Sequence, residues 1–206
     1  MTIERYITGP IDVNTYLVYD DESKKGFIVD PGGYSQELVD SAKSKDLEVE
    51  YIILTHGHGD HIGGLQKDRE AFPNSKVVAY ADEVEMLENP RINCSTEIYG
   101  RPITVVPDLL VKDKEELTIG PMKLTFIHTP GHTKGGMCIY ADGALFSGDT
   151  IFRYSIGRTD FYGGNFDTLM KSIKERLFAL PDSTDVYPGH MGFTTIGDEK
   201  RGNPFV

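Results

Sequence analysis

The sequence has no tryptophan and only two cysteines, Cys94 and Cys138. The N-terminal residues Met1–Arg5 lack the basic region and the apolar core of a signal peptide. In a chain without a secretion signal, two cysteines are expected to be free thiols, and neither has the spacing of a metal-binding pair. The same absence predicts a cytoplasmic location.

Long apolar runs and basic clusters are also missing. No stretch of 18 apolar residues occurs, so no membrane span is predicted. The formal charge is −11 and there is no run of lysine or arginine. This argues against a nucleic-acid partner, because phosphate binding needs basic patches. With 39% hydrophobic residues among 206, the sequence predicts a single domain over residues 1–206.

What the sequence does contain is a dense histidine motif. The pattern H-x-H-x-D-H, at His56, His58, Asp60 and His61, follows the apolar run Tyr51–Leu54. Three imidazoles and a carboxylate this close in sequence cannot share one face of a regular helix or strand. A tight loop is therefore expected, with the two intervening glycines supplying backbone freedom. Nitrogen and carboxylate ligands together suit zinc, iron or manganese rather than calcium.

Apolar periodicity, turn residues and capping residues predict the regular elements. The predicted strands are 2–9, 13–20, 26–29, 49–54, 76–80, strand pairs within 115–128 and 136–149, and 185–187. The predicted helices are one of about ten residues after Ser35, Gly63–Phe72, Asp82–Leu87, and one capped by Asn165 with an apolar stripe of Phe166, Leu169, Met170, Ile173 and Leu177. Residues 88–110 have no clear period and are predicted to be a lid or binding loop, and a polar tail is expected after residue 190.

Four of the predicted strands end beside residues that can bind metal. Ligands that follow strand ends converge at one edge of a sheet core, on loops held by a rigid scaffold. The candidate ligands are His56, His58, Asp60, His61, His132, Asp149 and His190. A single tetrahedral metal needs about four ligands, so this set indicates two ions that share a bridging ligand.

These motifs resemble those of the metallo-β-lactamase superfamily, and the resemblance covers nearly the whole chain. The matching segments, in family order and spacing, are Thr55–His61, Thr129–Thr133, Ser147–Thr150 and Pro188–His190. Within the superfamily, the chain is similar to the short, single-domain glyoxalase-II-like (hydroxyacylglutathione hydrolase-like) enzymes in Gly157–Phe161, Thr194–Glu199 and Asn203–Phe205. The resemblance implies an α+β fold, a four-layer αββα sandwich with the metal site at one edge of the two sheets.

The resemblance also implies a role for each candidate ligand. The first divalent ion would be held by His56, His58 and His132, and the second by Asp60, His61 and His190, with Asp149 bridging both. Asp60 would in addition orient a metal-bridging hydroxide and is the predicted catalytic residue. Zinc is the expected metal, and iron or manganese also fit this ligand set.

The implied reaction is hydrolysis of a small-molecule thioester, formed by a small acyl group and a low-molecular-weight thiol, through attack of the bridging hydroxide. A thiolate can leave without a strong general acid because a thiol has a pKa of about 8.5, whereas a lactam nitrogen would need a proton. Only 16 residues follow His190, so the C-terminal helical domain with which full-length glyoxalase II grips glutathione is not expected here. The alternatives are an iron-dependent persulfide dioxygenase, a lactonase or other ester or amide hydrolase, and a binding module without activity. The sequence leaves the thiol carrier and the oligomeric state open.

Several residues near the motifs have two interpretations. The residues predicted to bind substrate, unless they belong to a solvated surface, are Lys134, Arg158, Phe161 and Tyr162. Arg158 could instead pair with Asp160 and fix its loop. His128 is predicted to be a hydrogen-bonded structural residue. Asp30 is predicted to serve either a turn or the hydrogen-bond support of a metal ligand.

Overall fold

Two six-stranded sheets lie face to face in the computed structural model, which describes all residues from Met1 to Val206. In the first sheet the spatial order follows the chain: β1 (Thr2–Thr8), β2 (Val13–Tyr19), β3 (Lys25–Val29), β4 (Glu48–Ile53), β5 (Lys76–Tyr80) and β6 (Leu109–Val111). The first three strands are antiparallel, and β3 to β6 run parallel. The parallel strands therefore end at the same edge of the sheet.

The second sheet is built from the C-terminal half of the chain. Its strands are β7 (Glu116–Ile119), β8 (Met122–His128), β9 (Met137–Ala141), β10 (Ala144–Gly148), β13 (Asp185–Pro188) and β14 (Thr194–Thr195), in the order β14-β13-β10-β9-β8-β7. β10 and β13 are parallel neighbours. A two-stranded hairpin, β11 (Ile151–Phe152) with β12 (Ser155–Ile156), follows β10.

Helices cover the outer faces of both sheets. They are α1 (Gln36–Ser44), α2 (Gly59–Ile62), α3 (Leu65–Ala71), a 3₁₀ turn (Ala81–Glu83) that runs into α4 (Val84–Glu88), α5 (Ser95–Tyr99), α6 (Phe166–Ser172) with a π-helical extension (Ile173–Leu177), and α7 (Ile196–Gly202). The side chains of Ser35 and Asn165 cap α1 and α6, as predicted. None of these helices combines the length and the apolar character that a bilayer crossing requires.

Strand alternation builds three apolar layers, because successive side chains point to opposite faces of a sheet. Tyr16 and Val18 of β2 face the other sheet and join the cluster between the sheets, whereas Leu17 and Tyr19 face the helical layer with α1 and α3. A third cluster packs α6 and its extension against the second sheet. The predicted four-layer αββα sandwich is confirmed.

Three sequence-based expectations about regular structure were wrong. Residues 88–110 are not one long loop, because they contain α5 and the start of β6. The segment after residue 190 is not a simple polar tail, because it contains β14 and α7. Phe166 does not join the apolar stripe of α6, since it lies in the first turn and is 48% exposed.

Candidate metal centre

The histidine motif follows β4 as a tight loop that leads into α2, where Asp60 and His61 lie. The predicted reason for its two glycines is only partly right, since neither has a positive φ angle. Gly59 is needed for space, because a Cβ there would lie 2.6 Å from the Cα of Ser95. The loop is thus held by close contact with α5 rather than by an unusual backbone conformation.

The first group of nitrogen ligands contains His56, His58 and His132. Their ligand atoms all lie within 4.8 Å of one another. Nδ1 of His58 is 2.9 Å from Nε2 of His132. Both loops reach this point because β4 of the first sheet and β8 of the second end at the same edge of the sandwich.

The second group contains Asp60, His61 and His190, whose ligand atoms also lie within 4.8 Å of one another. Oδ2 of Asp60 is 3.2 Å from Nε2 of His190 and 3.5 Å from Nε2 of His61. His190 follows β13, so this group also combines the two sheets.

Asp149 lies between the two groups, at the end of β10. Its Oδ1 is 3.3 Å from Nε2 of His61, and its Oδ2 is 3.6 Å from Nε2 of His132 and 3.7 Å from Nε2 of His190. The structure therefore brings all seven predicted ligands together, with one carboxylate in reach of both groups.

The donor set fits a cation. Nε2 of His56 and of His61 and Oδ1 of Asp149 are buried without a hydrogen bond of acceptable geometry. Burial lowers the pKa of His56 well below its usual value, that of His58 to about 3 and that of His132, so these imidazoles are neutral and have lone pairs to donate.

Negative charge surrounds the second group. Burial alone would lower the pKa of His61, but the carboxylates of Asp149, Asp60 and Asp30 outweigh burial and raise the pKa well above its usual value. The pKa of His190 is also raised, because its hydrogen bond to Asp60 and the charge of Asp149 outweigh burial. A field that holds protons on imidazoles in this way also favours a divalent cation at the same position.

Asp30 does not serve only a turn, because its carboxylate contacts the candidate ligand His61 and the neighbouring Thr55. Its carboxylate accepts hydrogen bonds from the backbone N–H of Thr55 at 2.7 Å and from Oγ1 of Thr55 at 2.6 Å, and it lies 2.9 Å from Nδ1 of His61. Thr55 Oγ1 in turn lies 3.1 Å from Nδ1 of His56. Because Asp30 contacts the Nδ1 atom of His61, it leaves Nε2 of that ring directed into the site.

Glu83 is a buried residue of the site that the sequence did not predict. Its carboxylate accepts hydrogen bonds from the backbone N–H groups of Gly57 and Gly135, both at 2.8 Å, and from Oγ1 of Thr133 at 3.0 Å. It thereby connects the loop that holds His56 and His58 to the loop that holds His132. Burial raises the pKa of Glu83 to about 7.

His128 lies outside both ligand groups, in agreement with its predicted structural role. Its ring stacks on Tyr80 with centroids 4.2 Å apart, and its Nε2 lies 2.9 Å from the carbonyl oxygen of Lys134.

A cavity of about 630 Å³ opens over the two groups. Of the four residues predicted to bind substrate, Arg158 and Phe161 line it. Lys134 and Tyr162 do not, because both are bonded to Glu85 on the surface. Arg158 forms the alternative pair with Asp160, through two hydrogen bonds of 2.8 and 2.7 Å, and its carbonyl oxygen lies 2.7 Å from Nδ1 of His132.

The C-terminal motif fixes the segment that follows Asp149. Glu199 is fully buried, and its carboxylate accepts hydrogen bonds from the backbone N–H of Tyr154, Oγ1 of Thr194 and Nδ2 of Asn203. Tyr154 has a φ angle of +56°, and the hydrogen bond that its backbone N–H donates to Glu199 holds it there. The motif that matched at Thr194–Glu199 therefore shapes one wall of the cavity.

The family model of the metallo-β-lactamase superfamily matches residues 8–190. The chain belongs to the metallo-β-lactamase superfamily. Among curated members, the probable metallo-hydrolase YqgX of Bacillus subtilis is 38% identical, with 100% of this chain and 98% of the relative covered. The hydroxyacylglutathione hydrolase GloC of Haemophilus influenzae is 33% identical, with 100% and 98% covered. Membership supports a metal-dependent hydrolase.

Several solved structures superpose over nearly the whole chain. The BLEG-1 B3 metallo-β-lactamase matches with a TM-score of 0.92 and 39% identity, with 99% of each chain covered. TTHA1623 in a di-iron-bound form matches with a TM-score of 0.85 and 31% identity, with 98% of this chain and 100% of that chain covered. ETHE1 from Myxococcus xanthus matches with a TM-score of 0.81 and 28% identity, with 99% and 84% covered.

Proposed function

We propose that the protein is a dinuclear metal-dependent hydrolase that cleaves the thioester of a small acyl group and a low-molecular-weight thiol. The observation that carries this proposal is the position of Asp149, whose two oxygens lie 3.3 Å from His61 and 3.6 Å from His132, one residue of each ligand group. A carboxylate in that position suits a bridge between two ions. Zinc is the proposed metal, and the di-iron form of TTHA1623 supports iron as an alternative.

In this proposal the first ion is bound by His56, His58 and His132, and the second by Asp60, His61 and His190, with Asp149 shared. A pair of divalent ions supplies a strong nucleophile from water near neutral pH and polarises a carbonyl oxygen. Asp60 is proposed to orient the nucleophile, because its Oδ2 lies on the cavity side between His61 and His190.

The lining of the cavity favours a thioester over an amide. Its imidazoles belong to the ligand groups, and its single guanidinium, Arg158, is paired with Asp160. A leaving amine would need a proton donor, and the only titratable side chains of the lining outside the ligand groups and the Arg158 pair are Cys94 and Glu97. A thiolate needs no such donor, because a thiol has a pKa of about 8.5. The similarity to GloC, whose name gives a thioester hydrolase, supports the same reaction.

One other reaction has specific support, because the similarity to the BLEG-1 B3 metallo-β-lactamase favours β-lactam hydrolysis. The iron-dependent persulfide dioxygenase that the sequence left open is the second alternative.

The test loads purified protein with zinc, iron or manganese and measures bound metal together with turnover. The substrates are acyl-thioesters, followed by release of free thiol, a chromogenic β-lactam, and a persulfide with oxygen consumption recorded. The proposal expects two metal ions per chain and the highest kcat/KM on a thioester. A chain with one iron that consumes oxygen, or one with higher kcat/KM on the β-lactam, would replace the proposal by the corresponding alternative.

A further inference from the structure

The cavity over the two ligand groups has an apolar wall. Its apolar side chains are Ile11, Ile98, Phe152, Ile156, Phe161 and Met191. Three of them are unusually open for large apolar side chains, since Ile11 is 48% exposed, Phe161 37% and Met191 56%. Apolar side chains that are exposed together on one rim mark a surface that binds an apolar group.

Specific hydrogen bonds hold one part of the cavity rim, the segment that contains Met191, in place. Met191 has a φ angle of +68°, a backbone conformation that a non-glycine residue seldom adopts. The side chain of Asn14 donates hydrogen bonds to the carbonyl oxygens of Pro188, at 2.9 Å, and Met191, at 3.0 Å. β2 therefore fixes the segment that carries Met191 directly after the candidate ligand His190.

The same cavity offers no free cation to an anionic substrate. Arg158 is the only lysine or arginine in its lining. Its Nε and Nη2 donate hydrogen bonds to the two carboxylate oxygens of Asp160, and the group lies 3.9 Å from the centroid of the Phe161 ring. Glu97 also belongs to the lining, is exposed and has no ion pair or hydrogen bond. Lys134 is bonded to Glu85 outside the cavity.

From these observations we propose that the substrate is a thioester whose non-reacting part is apolar and carries no free carboxylate, and that Glu97 selects against anionic carriers such as glutathione. The inference rests on the proposed thioester hydrolysis for the reaction itself. Glutathione conjugates have two carboxylates, and nothing in the lining pairs with them, whereas Glu97 repels them. An apolar chain instead covers the exposed side chains of the rim.

Binding is the first readout, because it does not depend on turnover. S-hexyl-N-acetylcysteamine and S-hexylglutathione are thioethers that cannot be hydrolysed and differ only in the carrier. Titration calorimetry on the zinc-loaded protein should give a Kd at least tenfold lower for the N-acetylcysteamine compound. An equal or lower Kd for S-hexylglutathione would overturn the inference, even if the protein hydrolyses thioesters.

Glu97→Lys supplies the second test. It should lower the ratio of the Kd for S-hexylglutathione to the Kd for S-hexyl-N-acetylcysteamine by about tenfold, because a rim cation can pair with a glutathione carboxylate. Glu88→Lys makes the same change in net charge at an exposed residue away from the cavity and should leave the ratio unchanged. The same shift in both variants would show that overall charge, and not Glu97, decides the preference.

The two proposals fail in different ways. If the metal-loaded protein hydrolyses neither S-hexanoyl-N-acetylcysteamine nor S-hexanoylglutathione, the proposed reaction is wrong, and the thioether Kd ratio still decides the inference about the cavity. If only the glutathione thioester is hydrolysed, the reaction is right and the inference is overturned.

Discussion

Replacing Asp30 by asparagine tests how the protein prepares His61 for a metal. The carboxylate of Asp30 lies 2.9 Å from Nδ1 of His61, so it holds the ring proton on that nitrogen and leaves Nε2 free. In Asp30→Asn, the oxygen is expected to stay with the N–H of Thr55, and the NH₂ group then faces His61. That group can only donate, so it favours a proton on Nε2, the nitrogen proposed to bind the metal.

Loss of a hydrogen-bond partner of this kind lowers metal affinity about 10- to 100-fold, or about 1.4 to 2.7 kcal/mol. We expect the upper part of that range for the ion that Asp60, His61 and His190 are proposed to bind, because the asparagine also selects the wrong tautomer. The other ion should be affected less, since Asp30 reaches His56 only through Thr55.

The assay is a zinc titration against a chromophoric chelator, which resolves two dissociation constants, with bound metal measured by mass spectrometry. Asp142→Asn is the matched control, because Asp142 has a φ angle of +47°, close to the +49° of Asp30, but is exposed in the turn between β9 and β10. Two unchanged constants in folded Asp30→Asn, or equal losses in both variants, would refute the reasoning.

Three other substitutions test separate parts of the structure. Glu83→Gln should lower the free energy of unfolding of the metal-free protein by about 1 to 3 kcal/mol in urea, because one of three buried donors loses its acceptor; no change would mean that the carboxylate is not needed. Burial raises the pKa of Asp68 from 3.8 to about 7, so its contribution to stability falls as pH rises through this window. Asp68→Asn should therefore increase the free energy of unfolding by up to about 4 kcal/mol at pH 8 and change it little at pH 4. Glu70→Gln, on the exposed side of the same helix, should change the free energy of unfolding little at either pH. Asp149→Ala should lose bound metal and turnover, and a fully active variant with two ions would end the bridging assignment.

Strands and ligands were predictable because each has a local signal. Lys76–Tyr80 is a short apolar run with two adjacent valines and was predicted with the bounds that the structure has. The candidate ligands were correctly predicted to lie together because they follow strand ends, where loops from a rigid scaffold meet.

Elements and contacts that depend on distant parts of the chain were not predictable. Glu83 belongs to what reads as a short acidic helix, and its burial depends on the loop at Gly135, 52 residues away. Asp30 could be interpreted in two ways until the position of His61 was known. Helix α5 has only five residues, with Cys94 and Gly100 in left-handed conformations at its ends, so no helical period could reveal it.

The division of the ligands between the two sheets has a consequence for how the protein acquires its ions. The first sheet carries the 56–61 loop, and the second carries His132, Asp149 and His190, so neither half alone brings together the three residues of either ligand group described above. Asn14 and Gly189, 175 residues apart, are joined by a backbone hydrogen bond beside the site, and such a contact forms only when the halves have docked. We therefore expect tight metal binding to follow docking of the two halves, so that the metal content of a preparation reports the fraction of folded molecules.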